Sequence, residues 1–159
     1  MTEDTSGDTS PVPEGFKVDH RRRKLFHGNF NAPVEDALSH GIKVLDAGCG
    51  AGCWTMNMAN DFPNSHFVGV DVADLFPKDE VKSNCIFVKA NTLEGLPFED
   101  DTFDYIFQRF MVLAFTPADW AKAISELVRV TKPGGWVELV ESDCKLEQAP
   151  PSYLKFQNA

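Results

Sequence analysis

One stretch constrains this chain more than any other: Val44-Leu45-Asp46-Ala47-Gly48-Cys49-Gly50-Ala51-Gly52. An apolar run closes on an acid, and glycines follow at alternate positions. Glycine enters left-handed backbone conformations without steric cost and leaves no Cβ between the chain and a neighbour. The stretch therefore predicts a buried strand, a tight turn and the start of a helix. The helix places Trp54, Met58 and Phe62 on one face at i, i+4 and i+8. Pro63-Asn64 ends it.

The same grammar repeats downstream. Ile42–Asp46, His66–Val70, Cys85–Val88, Phe103–Phe107 and Trp136–Val140 read as strands, and the second closes on another acid, Asp71. Thr116 and Pro117 mark a second helix start as N-cap and first helical residue. Its expected stripe is Trp120, Ile124, Leu127 and Val128, and Lys132-Pro133-Gly134-Gly135 breaks it. Strands alternating with helices predict an α/β fold. The expectation is a Rossmann-like, mostly parallel sheet with helices on both faces and five strands placed.

A glycine turn between a strand and a helix suits a nucleotide-like ligand, and an acid ending the next strand suits ribose hydroxyls. Two ligand classes compete. The dinucleotide fingerprint G-x-G-x-x-G needs glycine where Cys53 stands. The pattern present is D-x-G-x-G-x-G, with Asp46 two residues before the first glycine. A diphosphate is repelled by that carboxylate, whereas a ligand carrying an ammonium and a sulfonium tolerates it. Asp46 thus favours S-adenosylmethionine over NAD. A turn with no ligand is the bland alternative.

Composition narrows the partners. The chain has 159 residues, a net charge of −9 and a pI of about 4.8. A broad acidic surface repels phosphate backbones and speaks against nucleic acid as the main partner. No apolar run is long enough to span a membrane, and no secretory signal opens the chain. Cys49, Cys53, Cys85 and Cys144 form no C-x-x-C pair, and no metal site is expected. Reduced thiols fit a cytoplasmic or nuclear protein. Residues 1–24 are expected to be a disordered acidic tail followed by a basic linker, Arg21 to Lys24. That basic cluster reads as a solvated stretch before it reads as a nuclear-import or anion-binding patch. Residues 25–145 form the expected core, and 146–159 an irregular tail.

At this point the sequence resembles the class I S-adenosylmethionine-dependent methyltransferases, and within them the fungal branch that includes regulators of secondary metabolism. The resemblance runs from Phe26 to Asp143. It rests on Asp46–Trp54, Gly69-Val70-Asp71, Gly95–Asp104 and Leu127–Gly135, in that order. It implies that Gly48, Cys49, Gly50 and Gly52 pass beneath the methionine and ribose parts of the cofactor. Asp46 would contact the methionine end, and Asp71 the ribose. Asn91 and Thr92 would face the adenine, with Asn91 as a plain turn residue the competing reading. Gln108 would line the methyl-transfer pocket, and Arg109 is either a neighbour of that pocket or a surface or lid residue. Asp71 is expected to be partly exposed and to contribute little to the stability of the ligand-free fold.

The acceptor is less legible. No general base stands out, because His20, His27, His40 and His66 all lie outside the segments after the fourth and fifth strands. Glu141 is either a group facing the acceptor or a solvated strand-end acid. Gln108-Arg109-Phe110-Met111 is not the Pro-Pro-aromatic motif of amino-group DNA methylases, and no Pro-Cys nucleophile is present. A small molecule or a protein side chain is the expected acceptor. Relatives carry seven strands ending in an antiparallel hairpin, so the resemblance implies a chain cut short at its C-terminal end. An exposed fifth strand would then invite homo- or hetero-oligomers through the sheet edge. Two functions stay open: an active methyltransferase, and a non-catalytic S-adenosylmethionine-binding or interaction protein.

Overall fold

The elements of the computed structural model are α1 (Glu35–His40), β1 (Lys43–Ala47), α2 (Cys53–Asp61), β2 (His66–Asp71), β3 (Cys85–Lys89), β4 (Phe103–Arg109), α3 (Pro117–Val130) and β5 (Thr131–Val140). The structure describes residues 28–142. The chain divides into two units, Met1–Phe30 and Asn31–Ala159, and all of these elements belong to the second. The expected acidic tail with its basic linker, the irregular C-terminal tail and the missing hairpin lie outside the described residues.

All five strands run parallel, in the order β3-β2-β1-β4-β5. The order reverses between β1 and β4. In open parallel sheets, ligands bind beyond the C-terminal strand ends at such a reversal. The sheet is covered on both faces. On one, Leu127 and Val130 of α3 pack with Leu45, Ala47, Val70, Phe103 and Ile106. On the other, Trp54 of α2 stacks on Phe107 at 4.1 Å and meets Tyr105 edge-on at 6.4 Å. Alternation along β1 explains the split: Val44 and Asp46 face α2 while Leu45 and Ala47 face α3.

Two expectations need correction. The buried face of α3 is Ala123, Leu127 and Val130, whereas Ile124 and Val128 are exposed. Small Ala123 lets the helix approach the sheet closely, and Trp120 turns aside to meet Phe115 edge-on at 5.2 Å. β5 also starts earlier than Trp136. Thr131 already pairs with Phe103, and the Pro133-Gly134-Gly135 stretch is accommodated by a register irregularity before Tyr105 pairs with Trp136. A proline is tolerated there because it falls at the register irregularity of β5, an outermost strand among the described residues.

Two sequence stretches far apart meet through Arg129. Its Nε and Nη2 donate to the two oxygens of Glu126 at 2.9 and 2.6 Å, and its Nη1 donates to the Phe98 carbonyl and to Asp100. Nη2 also reaches the Leu96 carbonyl. The planar guanidinium thus pins the 95–102 segment onto α3 and sets the start of β4. A lysine, with one nitrogen, cannot reproduce this fork. Arg129→Lys should therefore lower the melting temperature by several degrees, nearly as much as Arg129→Ala. Thermal unfolding of both variants checks this, and full rescue by lysine would contradict it.

Candidate functional site

The glycine turn sits at the C-terminal ends of β1 and β2. Gly48, Gly50 and Gly52 have φ of 74°, 55° and 75°. β2 holds this turn from beside it. The Gly48 and Cys49 N–H groups both donate to the Val70 carbonyl at 2.9 Å, and Gly50 N–H donates to Asp71 Oδ2 at 2.8 Å. Gly52 N–H donates back to the Cys49 carbonyl. At Gly52 a Cβ would collide with the Phe87 ring of β3. At Gly50 a Cβ would meet no protein atom within 4 Å, so that side of the turn faces open space.

This wiring bears on the ligand. Phosphate cradles work by presenting unsatisfied backbone N–H groups. Here the N–H groups of Gly48, Cys49, Gly50 and Gly52 are all spent within the protein. Two carboxylates, Asp46 and Asp71, flank the turn instead. The donor set fits a polar, cationic, ribose-bearing group better than a diphosphate.

Asp71 carries two duties. Its Oδ1 accepts from Ala73 N–H at 2.8 Å while Oδ2 accepts from Gly50 N–H. Each oxygen keeps a second lone pair for a hydroxyl donor. The side chain is half-buried, as expected. The expectation that it matters little to the ligand-free fold is corrected, since two backbone donors depend on it.

Beside Asp71 lies a cavity of about 230 Å³, bounded by Gly48, Asp71, Asn91, Thr92, Met111 and Phe115 among others. Two larger hollows, of about 430 and 380 Å³, are more open and lie against α3 and the start of β5. The smaller cavity is the one at the strand ends. Asn91 and Thr92 are therefore placed beside Asp71. Asn91 also forms a turn: its Oδ1 accepts from Leu93 N–H and its Nδ2 donates to Glu94, both at 3.0 Å. Both readings of Asn91 have a basis in this geometry.

Met111 closes the cavity from above. Its sulfur lies 2.7 Å from where a Gly48 Cβ would be. Glu141 holds this segment in place, accepting from the Met111 and Val112 N–H groups at 2.9 Å each. Phe110 adopts φ of 59°, a strained value for a bulky residue, at the bend that this clamp requires. Glu141 is thus an exposed acid just past the end of β5 whose two oxygens hold the neighbouring backbone. The sequence offered no signal for this clamp or for Met111.

Asp46 is only 3% exposed. Thr55 Oγ1 donates to its Oδ2 at 2.6 Å. Burial pushes its pKa up to about 6, against the Thr55 hydrogen bond and the nearby Arg109, which both lower it. Cys49 is pushed up to about 12, by burial first and then by the Asp46 and Asp71 carboxylates, so its thiol stays protonated. Gln108 is fully buried at the end of β4, and neither of its amide atoms has a hydrogen-bond partner. It is not among the residues bounding the cavity. Among the described residues, no group of three acids, histidines or cysteines is placed to hold a metal, and no helix is long and apolar enough to cross a membrane.

The profile of the methyltransferase domain family matches residues 44–135. Methyltransferase str3 of Strobilurus tenacellus is 33% identical over 130 residues, which cover 82% of this chain and 45% of that protein. The secondary metabolism regulator laeA of Aspergillus fumigatus is 32% identical over 129 residues, covering 77% of this chain and 34% of that protein. The chain thus spans less than half the length of these relatives. Among solved structures, PKMT2 from Rickettsia typhi in complex with AdoHcy superimposes with a TM-score of 0.55 at 26% identity, over 64% of this chain and 21% of that one.

Asp46 yields a prediction. Its folded pKa, near 6, lies above the ordinary 3.8. The protonated form is therefore favoured by folding, and that stability is lost as pH rises from about 4 through about 6. At neutral pH the ionised carboxylate costs the fold about 3 kcal/mol. Asp46→Asn keeps an acceptor for Thr55 and avoids the charge. Its melting temperature should exceed that of the parent by several degrees at pH 7 and by clearly less at pH 5. Calorimetric melts of the ligand-free proteins at the two pH values test the sign, and a constant difference would refute it.

Proposed function

The chain belongs to the class I S-adenosylmethionine-dependent methyltransferases, and from that premise we propose that it binds S-adenosylmethionine across the ends of β3, β2, β1 and β4 and transfers the methyl group to a small-molecule or protein acceptor. The observation that carries this reading is the glycine turn. The N–H groups of its three glycines and of Cys49 are consumed internally, its outer side is open at Gly50, and carboxylates flank it. When bound, the cofactor supplies a methyl group already activated on a sulfonium. The protein's share is then mainly binding and alignment.

Each residue has a distinct task. Asp71, with one lone pair free on each oxygen, takes the ribose hydroxyls. Asn91 and Thr92 border the nucleoside end, and Asn91 keeps an N–H and a lone pair beyond its turn bonds. Gly48, Cys49, Gly50 and Gly52 form the floor, and Asp46 receives the cationic amino-acid end. Gln108 brings an amide with unspent hydrogen-bonding capacity to the reversal point between β1 and β4. The acidic surface favours acceptors other than nucleic acid. Among the described residues β5 is an outermost strand, and its outer side would suit a partner chain.

A second reading, cofactor binding without turnover, draws support from Glu141. Both oxygens of this acid just beyond β5 are engaged by backbone donors, which gives it a positional task in the fold. A labelled-methyl assay across small-molecule and protein acceptors separates the two readings.

Binding should distinguish ligand classes directly. In titration calorimetry, S-adenosylmethionine should bind and NAD should bind at least about a hundredfold more weakly, since a diphosphate meets two carboxylates while the N–H groups of Gly48, Cys49, Gly50 and Gly52 are already engaged. Asp71→Ala should weaken S-adenosylmethionine at least about tenfold, because charge-assisted hydrogen bonds are worth roughly 1.5–3 kcal/mol each. It should also lower the melting temperature, as Gly50 and Ala73 lose their acceptor. Asp71→Asn should lose less of both. Gly50→Ala should abolish most binding with a modest loss of stability, whereas Gly50→Val adds the strain of a branched residue at positive φ. NAD binding as tight as S-adenosylmethionine would refute the assignment.

A further inference from the structure

The two described arginines are opposites. Arg129 spends its guanidinium on Glu126, Asp100 and two carbonyls. Arg109 makes no ion pair among the described residues. It is half-buried at the last position of β4. Two aromatic faces hold it, with the guanidinium carbon 5.9 Å from the Phe107 ring centre and 5.7 Å from that of Phe110. Phe107 is itself fixed by stacking on Trp54. Aromatic packing leaves the in-plane N–H groups available, and those are the groups that grip a carboxylate in bidentate fashion.

Register places Arg109 beside Asp46. Asp46 pairs with Phe107 across β1 and β4, so the two side chains share a face of the sheet. Arg109 lies two residues further along that face, about 7 Å closer to the strand ends. The nearness is also electrostatic, since Arg109 is one of the groups acting on the Asp46 carboxyl. An anionic group and a cationic group thus stand side by side at the switch point, with no hydrogen bond between them. That pattern matches the two ends of an amino-acid zwitterion.

Building on the proposed cofactor reading, we propose that Arg109 binds the carboxylate of the amino-acid end of S-adenosylmethionine while Asp46 takes its ammonium. The ligand then runs from the Asp71 cavity, across the glycine turn, to the β4 end. Phe107 and Phe110 act as positioning residues that hold the guanidinium ready. The bend at Phe110, which Glu141 secures through Met111 and Val112, becomes part of the cofactor site.

The test compares two thioethers with the same nucleoside. S-adenosylhomocysteine carries the amino-acid end, and 5′-methylthioadenosine lacks it. Calorimetric titration of the full chain is expected to show Arg109→Gln weakening S-adenosylhomocysteine by about ten- to a hundredfold. Affinity for 5′-methylthioadenosine should stay within about twofold of the parent. Arg109→Lys should fall between, because it keeps the charge and loses the fork. Melting temperatures of the ligand-free variants report any loss of the aromatic packing. Parallel weakening of both thioethers would mean that Arg109 only shapes the fold, and unchanged affinity for both would remove it from the site; either overturns the proposal. A parent chain that binds neither thioether overturns the cofactor reading and this inference with it.

Discussion

The glycine turn is held by the end of β2, and the rest of the site follows from that attachment. Val70 supplies one carbonyl to two N–H groups, and Asp71 supplies a carboxylate to a third. Parallel pairing of β1 with β2 brings these groups opposite the turn, with Ala47 beside Val70. Without that pairing, left-handed glycines at alternate positions have no reason to settle on one conformation, given the large backbone entropy glycine loses on ordering. The turn in turn fixes where α2 begins, and α2 fixes Thr55 over Asp46 and Trp54 over Phe107. On the proposed cofactor reading, the acid that would take the ribose is also a structural one, with folding and binding drawing on separate lone pairs of one carboxylate.

Much of this was legible in the sequence because it is local. Strand, acid, glycines and helix follow one another within about two turns of chain, and the acid closing β2 marks the second half of the site. The five strands and their order of appearance came from apolar runs bounded by turn signals. What could not be read is what depends on distant groups. The face that α3 buries was misassigned because Ile124 and Val128 fit a helical stripe as well as Ala123 does. Only the close approach of helix to sheet selects the small residue. The early start of β5 was hidden by Pro133 and Gly134, which are turn formers in sequence and an irregular edge pairing in the structure. The solitary guanidinium of Arg109 and the saturated one of Arg129 look alike in sequence. Their difference is made by which acids the fold brings near.

The two sides of the switch point are built differently. On the β2 and β3 side the site is backbone and carboxylate, fixed by sheet hydrogen bonds and by Phe87 packed on Gly52 and Gly69. On the β4 side it is aromatic and cationic: Trp54, Phe107, Arg109 and Phe110 lie one over another. This arrangement keeps opposite charges near each other without letting them neutralise. Asp46 is buried under Thr55 and is costly when ionised, while Arg109 is held by ring faces rather than by that carboxylate. The ionised Asp46 lowers the stability of the empty site, and under the proposal above a zwitterionic ligand would relieve both groups at once. Residues that lower the stability of a fold are commonly those its ligand uses.

Glu138 of β5 and Glu141 just beyond it both act by holding other segments of the chain. Glu138 takes the N–H groups of Asn31 and Ala32 and the Tyr105 hydroxyl, drawing the chain that precedes α1 against the sheet. That hydroxyl stays protonated, since burial and then the adjacent carboxylate both push its pKa upward. Glu141, three residues on, takes Met111 and Val112. The two acids thus anchor two segments, one each, and the second passes over the glycine turn. Among the described residues β5 is an outermost strand, and it is tied to the glycine turn by way of Met111 over Gly48 and the bend at Phe110, whose φ of 59° is a strained value.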